Sequence, residues 1–169
     1  MRNKVLLIGL VCAAPLVMGT LAYYFKWDVG SSSNYGELLP PRPLAGPPFE
    51  KLRGKWLLVM VDAARCDARC ERKLYYLRQL RRAQGKDMDR VERLWLVSDD
   101  AKPRAELLQA IEGTRVERAP ELDAFAGAPA DHLYLVDPFG NLMLRWPRDG
   151  DPSRMLKDLQ RLMKVAASG

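Results

Sequence analysis

The cysteines and the histidine carry most of the chemistry this chain could do. Of 169 residues, three are cysteine and one is histidine. A zinc site of four Cys or His ligands would consume all of them. Cys66 and Cys70 form C-D-A-R-C. Residues four apart share one face of a helix, so two thiolates there can clamp a soft ion such as Cu(I). The same pair can close a disulfide if Cys66 lies at the irregular start of the helix. Without further chemistry it is a structural disulfide or two core cysteines. The positive end of the helix dipole favours a thiolate at Cys66. Arg65 and Arg69 act in the same direction, and Asp62 and Asp67 oppose them. His132 follows Asp131, which could orient its imidazole. Cys12 reads as an inert small hydrophobe.

The elements that must position these residues follow from hydropathy. Trp56 to Val61 (WLLVMV) is an apolar run suited to a strand buried on both faces. Cys66 to Ala83 reads as a helix with Cys70, Leu74, Leu77 and Leu80 on one stripe, which makes Cys70 the more buried cysteine. Val91 to Ser98 is a second buried strand. Pro103 opens a helix that Gly113 ends. Leu133 to Val136 is a third strand, joined through Asp137-Pro138-Phe139-Gly140 to a hairpin partner at Leu142 to Trp146. Asp151 and Pro152 start a last helix. The order β-α-β-α-β-β-α predicts an α/β thioredoxin-like fold, a central mixed sheet flanked by helices. The cysteine pair then falls after the first core strand, at the start of the first long helix. Thioredoxin-like redox proteins carry a cis-proline before the equivalent strand, and Pro129 could serve as one.

Three regions are expected. Residues 1–27 read as a transmembrane anchor. Val5 to Phe25 is an uncharged stretch that spans roughly 30 Å as a helix, with Tyr23, Tyr24 and Trp27 at its end. It is longer than a usual signal-peptide core and lacks a clear A-x-A cleavage site. Arg2 and Lys4 then place the remainder on the non-cytoplasmic, periplasmic side of a single-pass inner membrane protein. Residues 28–48, rich in Ser, Gly and Pro, read as a tether, and 49–169 as the thioredoxin-like domain. The formal charge is +6. Without Arg2, Lys4 and Lys26, the soluble part keeps 24 basic residues against 21 acidic. No nucleic-acid partner is expected. The basic residues Arg65, Arg69, Arg72, Lys73, Arg78, Arg81 and Arg82 read as the solvated face of the helix.

The segment Gly54-Lys55-Trp56-Leu57-Leu58-Val59, the Cys66-x-x-x-Cys70 motif and Tyr134-Leu135-Val136-Asp137-Pro138-x-Gly140 together resemble the Sco/SenC family. Those proteins are membrane-tethered, thioredoxin-like factors of cytochrome c oxidase assembly. The resemblance covers roughly residues 50 to 165. It implies copper, as Cu(I), bound by Cys66, Cys70 and a later histidine, and a cytochrome c oxidase subunit or assembly factor as partner. The role implied is delivery of Cu(I) to the oxidase copper centre or handling of that centre's thiols. Asp67 and Glu71 stand where the family commonly has prolines. Pro129 occupies the family's histidine position, and His132, the available ligand, lies three residues later. An odd offset reverses the facing of a strand side chain. Two other readings use the same residues. One is a thiol–disulfide oxidoreductase with Cys66 as nucleophile and Cys70 as resolver. The other is a non-catalytic interaction module on the same fold.

Overall fold

The structure, a computed structural model, describes residues 4, 12–15, 17–21, 24, 34–119, 123–125 and 127–167. The chain divides into two compact units, Met1–Ser33 and Asn34–Gly169. In the first unit the described residues are helical. Most of the anchor expected at 1–27 lies outside the described residues, Tyr23 and Trp27 included. Among the described residues no helix is long and apolar enough to cross a membrane.

The second unit is built on a six-stranded mixed sheet in the order β1-β6-β5-β2-β3-β4. Its strands are β1 (Glu37–Pro43), β2 (Trp56–Asp62), β3 (Val91–Val97), β4 (Arg115–Arg118), β5 (His132–Val136) and β6 (Asn141–Pro147). β2, β3 and β4 run parallel, while β5, β6 and β1 are added antiparallel. β2 is central and buried from Trp56 to Val61, as a strand covered on both faces must be. The helices are α1 (Ala68–Arg82), α2 (Ala105–Ala110) and α3 (Pro152–Ala167).

Side chains alternate between two cores. On one face Leu58, Met60, Trp95, Leu133 and Leu135 pack with Cys66, Cys70 and the apolar stripes of the three helices. On the other, Val59, Val61, Leu94, Leu96, Tyr134 and Val136 pack under Leu44, Phe49, Leu52 and Phe125. That second cover comes from the 3₁₀ turn Glu50–Leu52 and neighbouring loops. The Asp137–Gly140 turn forms as expected. The Asp137 carboxylate accepts the Phe139 and Asn141 amides at 2.9 and 2.8 Å, and Gly140 takes φ +91°, a conformation glycine adopts freely.

The sheet has two strands beyond those expected. β1 lies within the stretch 28–48 that was read as a tether, so the folded unit begins at Asn34 rather than Phe49. Its prolines mask it in the sequence, but an edge strand tolerates them because its outer N–H groups need no partner. Gly36 leads into it over Leu144 and Trp146, where a Cβ would come within 2.6 Å of the Leu144 side chain. β4 is a four-residue edge strand, and only Val116 of its residues is apolar. The first helix starts at Ala68 rather than Cys66. The single cis peptide among the described residues is Pro47–Pro48, so Pro129 is not a cis-proline. It opens the 3₁₀ turn Pro129–Asp131.

Candidate functional site: a cysteine pair at a helix N-terminus

Asp67 determines where α1 begins. Its backbone is extended (φ −88°, ψ −178°), and its carboxylate accepts the Arg69 and Cys70 amides, each at 2.9 Å. These are donors that a helix start otherwise leaves unpaired. The same bonds, with the one from Cys70 the largest influence, hold the Asp67 carboxyl below its ordinary range. Cys70 therefore sits in the first turn, while Cys66 lies just outside the helix. Their Cα atoms are 5.2 Å apart and the sulfurs are joined in a disulfide, a separation that suits the bond. Cys66 is 7 % exposed and Cys70 fully buried, so Cys70 is the more buried of the two, as the apolar stripe implied.

Beneath the pair lies a residue that sequence reasoning misplaced. Lys73 was assigned to the solvated face, but it is only 1 % exposed. Its ammonium donates to the Asp62 carboxylate at 2.8 Å and to the Val61 and Ala130 carbonyls at 3.0 and 2.7 Å. An ammonium has three donors, and all three are used. Lys73 thus binds the end of β2, the first turns of α1 and the turn before β5 into one assembly. The spacing held a signal: Lys73 is three residues after Cys70 and adjacent to Leu74, which places it at the edge of the apolar stripe. Nearby, the Asp99 carboxylate accepts the Ala64 amide at 3.1 Å and fixes the loop that carries Cys66.

His132 does not join the cysteines. It opens β5 in register with Tyr134 and Val136, whose side chains belong to the opposite core from Cys66 and Cys70. Its ring lies 6.0 Å from that of Tyr134, and Nδ1 is 3.1 Å from the Ala128 carbonyl oxygen. Asp131, expected to orient the imidazole, pairs with Arg148 instead. The set Cys66, Cys70 and His132 is therefore not assembled, because His132 alternates along β5 with Tyr134 and Val136 rather than with Leu133 and Leu135. Among the described residues no group of three or more His, Cys, Asp or Glu could hold a metal ion. Of the donors the resemblance implied for copper, only the two cysteines stand together, and they can ligate only after reduction.

A mixed sheet with a disulfide at the N-terminus of the helix after its central strand defines a thioredoxin-like protein. Residues 56–166 match the family described as transmembrane-like, thioredoxin-like, C-terminal domain, and the chain belongs to that family. No curated protein matches it. Among solved structures it is similar in fold to apo Sco1 of Thermus thermophilus, with 19 % identity, 79 % of this chain and 99 % of that one covered, and a TM-score of 0.57. Copper-bound yeast Sco1 aligns at 16 % identity over 80 % of this chain and 95 % of that one, with a TM-score of 0.55. The exposed lipoprotein thioredoxin Etrx1 of Streptococcus pneumoniae aligns at 13 % identity over 67 % and 89 %, with a TM-score of 0.50. The chain is Sco-like in fold and divergent in sequence.

Proposed function

We propose that this protein is a membrane-tethered, extracytoplasmic assembly factor that exchanges its Cys66–Cys70 disulfide with the cysteine pair of a copper-site client, with a cytochrome c oxidase subunit as the client class. The observation that carries the exchange is the closed pair at the helix start, with Cys66 the less buried of its two cysteines. A client thiolate attacks Cys66 Sγ, a mixed disulfide forms and Cys70 leaves as the thiolate. The client's second thiolate then attacks its own sulfur in the mixed disulfide and releases Cys66. The client loses two electrons and the pair gains them; the reverse sequence reduces the client. The site and client assignments rest on likeness to Sco proteins. The test is a trapping experiment in cells. Cys70→Ser should accumulate a reductant-sensitive adduct through Cys66, and Cys66→Ser should not. Equal adducts from both variants, or none from either and no exchange with a dithiol peptide, would count against it.

A second reading has its own support. The reduced pair, four residues apart at the helix start on a fold shared with copper-bound yeast Sco1, would offer two thiolates to Cu(I) as cargo. Titration of the reduced full chain with Cu(I) against a competing chelator tests it. Tight one-to-one binding lost in Cys66→Ser and retained in His132→Ala would support a two-cysteine clamp. Absence of tight binding would remove it.

A further inference from the structure

Far along α1 from the cysteines, the fold buries a second cation. Arg93 lies on β3 between Val91 and Trp95, on the face that the helices cover. It is 5 % exposed. Its Nη2 donates to the Glu112 carbonyl at 2.8 Å, but Nε and Nη1 are buried without an acceptor among the described residues. The Nε of Arg78 is likewise buried and without one. The chain makes room for this guanidinium: at Gly113, with φ +78°, a Cβ would come within 2.8 Å of Arg93 Nη2. Burying a charge without a counter-charge is costly. Desolvation, and then the fields of Arg81, Arg78 and Arg82, push the Arg93 guanidinium below its ordinary range.

Arg93 and Arg78 line two surface clefts of about 320 and 420 Å³. The larger is walled by Arg78, Arg81, Arg82 and Arg93 against one carboxylate, Glu112. Part of this charge has local work. Arg81 Nε donates to the Val91 carbonyl at 2.6 Å, and its Nη2 stands 4.0 Å from Asp89. Arginines in the last turn of a helix also suit its dipole. Neither explains a buried arginine on a strand with two nitrogens unpaired. In the smaller cleft Glu71 is already paired with Arg104 at 2.6 Å.

We infer that the cleft at Arg78, Arg81, Arg82 and Arg93 binds a phosphate-class oxyanion, whose negative charge balances the guanidiniums that line it. A tetrahedral, multiply charged group matches several guanidinium donors converging on one place. The phosphate belongs either to a solute or to a phospholipid headgroup. The proposal is independent of the chemistry at the cysteines.

The test uses the full oxidised chain in neutral detergent micelles at ionic strength balanced with chloride. One arm titrates inorganic phosphate and then glycerol phosphate calorimetrically. The other replaces part of the detergent with phosphatidylglycerol and follows thermal unfolding. Arg93→Met should melt no lower than wild type without phosphate, because it removes an unpaired buried cation, and should bind at least about ten-fold more weakly. Arg82→Glu, at an exposed position, should also weaken binding, and Lys51→Glu, the same charge change on the other face of the sheet, should not. Arg93-dependent binding in the first arm identifies a solute phosphate; dependence in the lipid arm alone identifies a headgroup. Binding in neither arm, or binding that Arg93→Met and Arg82→Glu leave unchanged, overturns the proposal.

Discussion

Asp67 stands between the two cysteines and takes up two of the first amides of α1. Its carboxylate accepts from Arg69 and Cys70, so the positive end of α1 is partly neutralised where Cys66 would use it. Asn caps a helix about as well as Asp, so Asp67→Asn removes the charge and keeps the helix. The thiolate form should then gain, and the pair should become more oxidising. The expected change is roughly two- to five-fold in the equilibrium constant for exchange with glutathione, measured at about pH 8.5 where thiolates are populated. An unchanged or more reducing pair would show that Asp67 acts as a cap alone. At this scale the cysteines were legible because spacing alone puts them together. The facing of His132 was not legible from its offset, because Pro129–Asp131 is a 3₁₀ turn and strand alternation begins only at His132. Lys73 was legible only as a residue at the edge of the apolar stripe; its depth depends on acceptors from Val61, Asp62 and Ala130, which only tertiary contact brings within reach.

β1 pairs with β6, and the residues that lead into it are anchored by a carboxylate on α3. Asp158 is 3 % exposed. It accepts from the Tyr35 and Gly36 amides at 3.0 and 2.8 Å and from Trp146 Nε1 at 3.0 Å. One side chain thus connects the lead-in to β1, the inner face of β6 and the last helix. Asp158→Ala leaves these donors without their acceptor in a buried place, and each such loss costs about 1–3 kcal/mol. Because the Tyr35 amide is only partly buried, we expect about 3 kcal/mol in all, measured by urea unfolding, with partial recovery in Asp158→Asn through its one carbonyl oxygen. A loss below about 1 kcal/mol would mean that water replaces the carboxylate. β2, β3, β5 and β6 were legible because each carries an apolar run or alternation that burial demands. β1 and β4 were not. Edge strands need little apolar surface, and what fixes β1 is pairing with a distant β6 and a distant aspartate at its lead-in.

The boundary of the folded unit follows from the same contacts. Residues 28–48 have the composition of a linker, and composition is blind to a strand that pairs with residues about a hundred positions away. The strand order made the fold class legible, since two βα units followed by a hairpin and a helix admit few arrangements. The start of the domain was not legible from it. A chain beginning at Asn34 retains β1, the donors to Asp158, and Leu44, which is 4 % exposed under the second core. A chain beginning at Phe49 loses all three and leaves β6 as an unprotected edge, with Leu144 and Trp146 uncovered where Gly36 had lain. Such an edge invites pairing between copies. We expect 34–169 to unfold in one cooperative transition, and 49–169 to aggregate or to melt without one, as followed by near-ultraviolet circular dichroism and light scattering. If the shorter chain stays monomeric and melts within a few degrees of the longer, β1 only decorates a domain that begins at Phe49. The composition-based boundary would then be the physical one.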